Sequence, residues 1–343
     1  MHSTVEVRDI DLLKYIAKRL LLALVVMLCV SILIFFILRL APGDPVRLIL
    51  GDTATEEQME QKRIELGYDK PFWVQYGIYL TGLLRGDLGT SIFFHRPVAH
   101  LVFPAMSNTL KLTGSALLVA LLIAVPLGII AGVKRGSIID VISMGFALLG
   151  QSMSPVWLGI LLVLVFAVNL GWLPAFGTDS VLNVILPSLT LGMPMAAITT
   201  RMIRSGMIDT LEEDFILTTR ARGVPERKVI FKYALKNVLL PVITVVGMQV
   251  GIFLGGAVVT EQVFAWNGVG RLMVASITRR DFPVVQSCLL TVSLFFVLIN
   301  VFVDIVYMMI DPRLRLVSGG RRARLAAAVE IIKAKNGGSV DEP

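Results

Sequence analysis

The groups in this chain that could do chemistry are few and poorly placed for it. The three histidines, His2, His95 and His100, lie outside the long apolar runs. A membrane-buried Ser–His pair or a histidine-bound metal therefore has no imidazole to use. No Gly-x4-Gly-Lys-Ser/Thr loop occurs, so the chain lacks that means of cradling ATP phosphates. Cys29 and Cys288 fall in apolar runs and read as small buried hydrophobes, not as a disulfide or metal pair. Gln151, Ser152, Gln249, Glu261, Asn300 and Asp304 lie in or near apolar runs, where ionisable groups mark a pathway or a partner by default. Glu261 is expected at an outer mouth, facing a docking partner or solvent. Asp304 is expected near the inner face, paired with Arg313 or a basic loop residue. None of these is singled out as a substrate ligand, and the substrate-binding residues stay unassigned. The chain reads as a non-enzyme with no catalytic, cofactor or metal site.

The densest polar feature is residues 213–241, EDFILTTRARGVPERKVIFKYALKNVLLP, set between two apolar runs. Thr210 and Glu213 have the spacing of a capping box, which predicts a helix starting in water and running to about Ala221. Gly223 is placed to end it in a left-handed conformation. Pro225 suits the first position of a second helix, with Glu226 at its positive end. Lys228, Lys232 and Lys236 recur every fourth residue and share a face; holding the loop inside explains them. It does not explain the elbow, because a plain inner turn needs only a few residues, as Lys134–Gly136 illustrates. A helix, a glycine elbow and a second helix imply a protein surface to fit.

The elements that must position this elbow are membrane helices. The chain has 343 residues, 55% hydrophobic and 17% charged, against about 25% charged in soluble domains. Uncharged runs cover 20–38, 112–133, 141–178, 180–200, 238–260 and 282–303, and about 20 helical residues cross the hydrocarbon core. The run 141–178 is too long for one straight helix. It is expected to be one kinked span, bent near Gly150–Pro155 and ending at Gly171–Pro174; two shorter spans are the competing reading. Continuous apolar runs exclude a β-barrel. The expected fold is all-α, a polytopic bundle of six transmembrane helices.

Lysine and arginine orient it. Residues 201–236 carry eight basic residues and the tail from Arg313 seven, whereas 169–184 carries none. Six spans with N- and C-termini both cytoplasmic place every strongly basic segment inside, with Arg271, Arg279 and Arg280 as a blemish. The net charge of +7 is thus a topology signal, and nucleic acid is not implied. The expected organisation is a cytoplasmic segment and first span over 1–45, an extracytoplasmic segment over 46–105, and a five-helix core over 106–310 carrying the elbow at 208–236. A cytoplasmic tail over 311–343 follows, with a basic amphipathic helix or a frayed end from Ser318. Within 46–105, TEEQMEQKRIELGYDKPF predicts a short polar helix. WVQYGIYLTGLLRGDLG predicts an interfacial amphipathic helix, with Trp73, Tyr76 and Tyr79 at the headgroups. Gly247, Gly251, Gly255 and Gly256 give small-x3-small spacing for close helix packing.

At the elbow the chain resembles a known family. TTRARGV…YALKNVLLP is similar to the cytoplasmic signature of ABC-importer permeases, with Gly223 on the signature glycine and Leu235 on its leucine. Tyr233, Lys236 and Leu217-Thr218-Thr219 depart from that general signature. Against the dipeptide/oligopeptide/nickel branch, Asp214, Phe215, Ile216, Thr218, Arg220, Ala221, Gly223 and Val224 all match. So do Leu40–Pro45, Gly86–Gly89, Gly171–Pro174, Ile185–Ser188, Val263–Arg271 and Arg280–Gln286, which extends the likeness over 12–315. The resemblance implies the type I importer permease fold and a location in the bacterial inner membrane. It also implies partners: a second permease (homologous or identical), two cytoplasmic ATPases that use ATP and Mg, and an extracytoplasmic binding protein. The implied ATPase-coupling segment contains Asp214, Thr218, Arg220, Ala221, Arg222, Gly223, Val224, Pro225 and Leu235. The implied cargo is di- or oligopeptides, with glutathione or nickel as alternatives. An ion-gradient-driven carrier is the rival class, but neither an internal repeat nor paired broken helices are visible.

Overall fold

The computed structural model describes residues 3–40, 45–50, 54–65, 67 and 69–310. The breaker cluster at 41–44, Arg313 and the tail from Ser318 lie outside these, as does the Asp304 side chain. Helices α1 (Ser3–Leu40), α2 (Pro45–Leu50), α3 (Glu56–Glu65) and α4 (Phe72–Leu84) precede a core of longer elements. These are α5 (Ala99–Val133), α6 (Ile138–Ser152), α7 (Pro155–Leu162, extended by a π-helix to Asn169) and α8 (Ile185–Leu211). Then follow α9 (Asp214–Ala221), α10 (Glu226–Lys228, extended by a π-helix over Val229–Ala234), α11 (Leu235–Val263), α12 (Val269–Thr278) and α13 (Phe282–Ile310). No strand occurs among the described residues, only an isolated bridge between Thr90 and Pro97. The all-α polytopic bundle is therefore as expected.

Among the described residues, five helices are long and apolar enough to cross a membrane: 19–37, 99–133, 181–211, 241–263 and 282–303. The expected kink in the third apolar run, 141–178, is a break, because α6 and α7 meet at 110°. Met153 and Ser154 leave helical geometry ahead of Pro155, which begins α7. The pair still crosses the bundle once. Arg135 and Asp140, flanking the start of α6, bond Glu212 and Arg204 at the C-terminal end of α8. After α7, Gly177 donates to the Phe264 carbonyl and Thr178 accepts from Asn267, at the opposite end. Taken as one broken span, the pair brings the candidate spans among the described residues to six.

Small residues set the helix spacing, as expected where lipid supplies no hydrophobic drive between helices. The most extensive pair is α5 with α8. A Cβ on Gly128 would stand 2.7 Å from the Ile203 Cβ, and one on Gly192 2.6 Å from the Ala116 carbonyl oxygen. The glycine row in α11 divides. Gly247 and Gly251 lie against Val303 and Phe296 of α13, whereas Gly255 has nothing within 4 Å. It borders an apolar groove of about 700 Å³ between α1, α11 and α13. Outside the core, α3 is the polar helix that the sequence predicts. Helix α4 differs from expectation: Tyr76 is buried and bonds Ser31 at 2.7 Å, and Tyr79 stacks on Phe35. Only Trp73 keeps the exposure expected at headgroups. The aromatic face of α4 is spent on docking to α1.

Candidate functional site

The elbow follows directly from α8, with one difference from the predicted cap. Thr210 is buried in the last turn of α8, and the N-cap of α9 is Glu213, whose side chain caps nothing. Helix α8 runs through Thr210 because its apolar face continues to Leu211, which packs on the cluster around Ile203 and Met207. The expected stop is present. Arg222 and Gly223 donate to the carbonyls of Thr218 and Arg220, and Gly223 has φ +75° with open space around its missing Cβ. Pro225 is the N-cap, one place before its predicted position, and Glu226 takes the first helical position. Arg220 closes the angle with a two-pronged bond to Glu226, at 2.7 and 3.2 Å. That guanidinium holds the Glu226 carboxyl below the usual carboxylate range.

Beneath the charges is an apolar plug. Ile216, Val229 and Ala234 are fully buried with Ile203 and Met207 of α8 and with Val238 and Val242 of α11, and Val224 and Leu235 pack against them. The elbow is therefore seated on the bundle. Its outer surface is mixed: Asp214, Ala221, Arg222, Pro225 and Lys228 are exposed, and so are Phe215, Leu217 and Phe231, at 37%, 54% and 56%. Thr218 turns inward on its own helix, bonding the Asp214 carbonyl. Lys232 and Lys236 are exposed, on a helix whose π turn interrupts the even four-residue face read from sequence.

Two further polar sites escape a reading by spacing. At the elbow's end of the bundle, Asp140 is 4% exposed and accepts from Arg204 Nε and Nη2 at 2.5 and 2.8 Å, and from the Gly136 N–H. This bond ties the α5–α6 turn to the stretch of α8 that seats the elbow. At the opposite end, Glu261 is neither a solvated span end nor a surface residue. It is fully buried and accepts from the Thr109 hydroxyl at 2.5 Å, the Arg271 N–H at 3.0 Å, and the Gly270 N–H. Thr109 in turn accepts from the Val269 N–H at 2.9 Å. The first three N–H groups of α12 are thus capped from other helices, with the carboxylate at the positive end of the helix dipole. Only glycine fits at 268, where a Cβ would overlap the carboxylate. Beyond α12, the buried Asp281 accepts from Ser91 Oγ and the Ile92 and Phe93 N–H groups, and Arg279 lies 4.1 Å from the Phe93 ring centre. Arg271 bonds the Ala265 carbonyl and Asn267. Two of the three basic residues that look misplaced in a topology count, Arg271 and Arg279, thus have a local partner or a ring contact.

No group of three or more His, Cys, Asp or Glu among the described residues is arranged to hold a metal. The geometry is that of a transmembrane scaffold with a seated elbow at one end and a cage at the other.

Comparison with known proteins agrees in kind. The dipeptide transport system permease protein DppB of Alkalihalophilus pseudofirmus is 41% identical over 332 residues, covering 89% of this chain and all of the relative. The glutathione transport system permease protein GsiC is 43% identical over 304 residues in Salmonella choleraesuis and in Escherichia coli K12, covering 89% of this chain and 99% of each relative. Among solved structures, inward-facing MetNI methionine ABC transporter aligns with TM-score 0.49 and 19% identity, over 62% of this chain and 96% of that one. Residues 12–108 match the N-terminal part of binding-protein-dependent transport system membrane components, and residues 124–316 match the family described as binding-protein-dependent transport system inner membrane component. This chain belongs to that family, as a multi-span membrane permease.

Proposed function

We propose that this chain is one permease subunit of an ATP-driven importer for di- or oligopeptides, working with a second permease, two cytoplasmic ATPases and an extracytoplasmic binding protein. The elbow from Asp214 to Leu235 is the coupling segment. The observation that carries this reading is the elbow's construction: an apolar plug fixes its inner side to α8 and α11, while Phe215, Leu217 and Phe231 stand exposed beside Arg222 and Lys228. An element seated on one face and unpaired on the other fits a partner that pushes. The ATPases, which use ATP with Mg, close and open on it and tilt the spans between outward- and inward-facing states. The work available is the difference in contacts the elbow makes in the two states.

The basic elbow lies on the cytosolic side by the positive-inside rule, and six crossings put both termini there. On this reading 1–45 carries the first span, 46–105 is extracytoplasmic, 106–310 is the core and 311–343 is a cytoplasmic tail in the inner membrane. Peptide cargo is supported by the DppB relative, and glutathione, itself a tripeptide, is the second reading supported by the GsiC relatives.

Two measurements test this. Ala221→Cys and Val224→Cys are expected to crosslink to an ATPase subunit in the intact assembly. Their failure to do so, or their labelling from outside the cell, removes the coupling role. Titration of the cognate binding protein with dipeptides, longer peptides and glutathione identifies the cargo; binding none of them overturns it.

A further inference from the structure

One helix joins the two polar ends of the molecule. From Glu226 the chain stays helical through the π turn at Val229–Ala234 and all of α11 to Val263, a rod of roughly 55 Å at about 1.5 Å per residue. Its first turns are the second limb of the elbow. Its last turn carries Glu261. We propose that Glu261 is the positioning residue that delivers the elbow's movement to the extracytoplasmic mouth, by fastening the far end of this rod to the first turn of α12. The proposal rests on the coupling role given above to the elbow.

The fastening is specific. Glu261 accepts from the Gly270 and Arg271 N–H groups and from Thr109 Oγ1, while its own carbonyl accepts from the Trp266 N–H at 2.9 Å. Trp266 reaches back through its indole N–H to the Asn108 carbonyl at 3.0 Å. Every group that bonds the carboxylate is a donor, so the site calls for a side chain that only accepts. A glutamine of equal size keeps one accepting oxygen for the two N–H groups but meets Thr109 with an N–H, turning the hydroxyl proton back to the Ala105 carbonyl at 3.3 Å and removing the charge from the fastening. Hydrogen bonds to an ionised acceptor are roughly twice as strong as neutral ones, so the substitution loosens the joint without changing its shape.

What the rod moves is also defined. The far end of α12 is bound to the 91–97 turn, because Asp281 N donates to the Ser276 carbonyl while the Asp281 carboxylate accepts from Ser91 Oγ and the Ile92 N–H. The apolar faces agree: Val269 is buried with Val98, Val102, Val284 and Leu254. A displacement of α11 at Glu261 therefore carries α12 and the 91–97 turn with it. The π turn lies where the rod leaves the elbow, and such turns recur at functional sites.

The experiment uses the complete reconstituted importer in a Cys29→Ser background, since Cys29 is exposed. Val274→Cys, on the exposed side of α12, reports labelling by an impermeant maleimide with and without ATP and vanadate. Ala221→Cys reports the contact with the ATPase. In the parent, nucleotide is expected to change the labelling rate at residue 274. In Glu261→Gln that change is lost and substrate moved per ATP hydrolysed falls about tenfold, a typical coupling magnitude, while hydrolysis and the Ala221 crosslink persist. Thr109→Val shifts both readouts the same way and Thr109→Ser restores them, which decides the matter even if Glu261→Gln fails to assemble. Nucleotide-dependent labelling and uptake that survive both Glu261→Gln and Thr109→Val overturn the inference alone. A parent lacking the Ala221 crosslink overturns the coupling role beneath it.

Discussion

The elbow and the cage at the opposite end are both polar interruptions in an apolar bundle, yet they are built on opposite principles. The elbow exposes its charges, braces itself with a surface ion pair between Arg220 and Glu226, and leaves empty space around Gly223. The cage buries two carboxylates, Glu261 and Asp281, and meets each with N–H and O–H donors. It also holds three non-glycine residues at positive φ near its turns, His95, Ala265 and Arg280, a conformation uncommon outside glycine. Buried polar groups are costly unless every partner is in place, so they specify one geometry. Exposed ones tolerate rearrangement and leave room for a second protein. The Asp140–Arg204 bond is intermediate, with a buried carboxylate and a guanidinium 27% exposed, and it lies where the fixed bundle meets the adaptable elbow.

Substitutions at the two ends should therefore differ sharply in scale. The largest loss is expected for Gly268→Ala, whose Cβ would occupy the space of the Glu261 carboxylate. Displacing that group leaves the Gly270, Arg271 and Thr109 donors unpaired, on the order of 3 kcal/mol or more. Thermal unfolding of the purified subunit in detergent should show a clear drop; an unchanged midpoint would mean the cage is not a rigid element. Next is Gly223→Ala at the elbow, which adds no clash but forces a left-handed alanine, at about 1 kcal/mol. The protein should fold and assemble, with transport reduced more than stability, and a loss as large as that of Gly268→Ala would erase the contrast between the ends. The smallest effect is Glu226→Gln, since exposed ion pairs contribute at most about 1 kcal/mol. Its pH dependence has a definite sign. Arg220 lowers the folded-state pKa of Glu226, so the pair's contribution is present above the ordinary carboxylate range and is lost as pH falls through the lowered value. Stability of parent and Glu226→Gln should converge in acid and separate slightly at neutral pH; the opposite order would remove the brace.

The spans were legible because crossing a bilayer constrains local composition, and α13 begins at Phe282 as the uncharged run does. The left-handed Gly223 was legible for a similar reason, since a glycine after a polar helical segment is a local stop. The packing of Tyr76 and Tyr79 on α1 was not legible, because an aromatic residue looks the same whether it meets lipid or another helix. The break between α6 and α7 was visible at Pro155, but its 110° angle was not, because proline removes a hydrogen bond without fixing a direction.

From residue order alone came the membrane class, the apolar runs that become spans and the place of the elbow, all set by hydrophobic length and backbone-breaking residues acting over a few turns. Only the folded chain decided which buried charges are met and by what. Glu261 finds Thr109 152 positions away, Asp281 finds Ser91 190 away, and Asp140 finds Arg204 64 away. Hydrogen bonds act over about 3 Å of space irrespective of separation along the chain, so those partners exist only once the helices have packed.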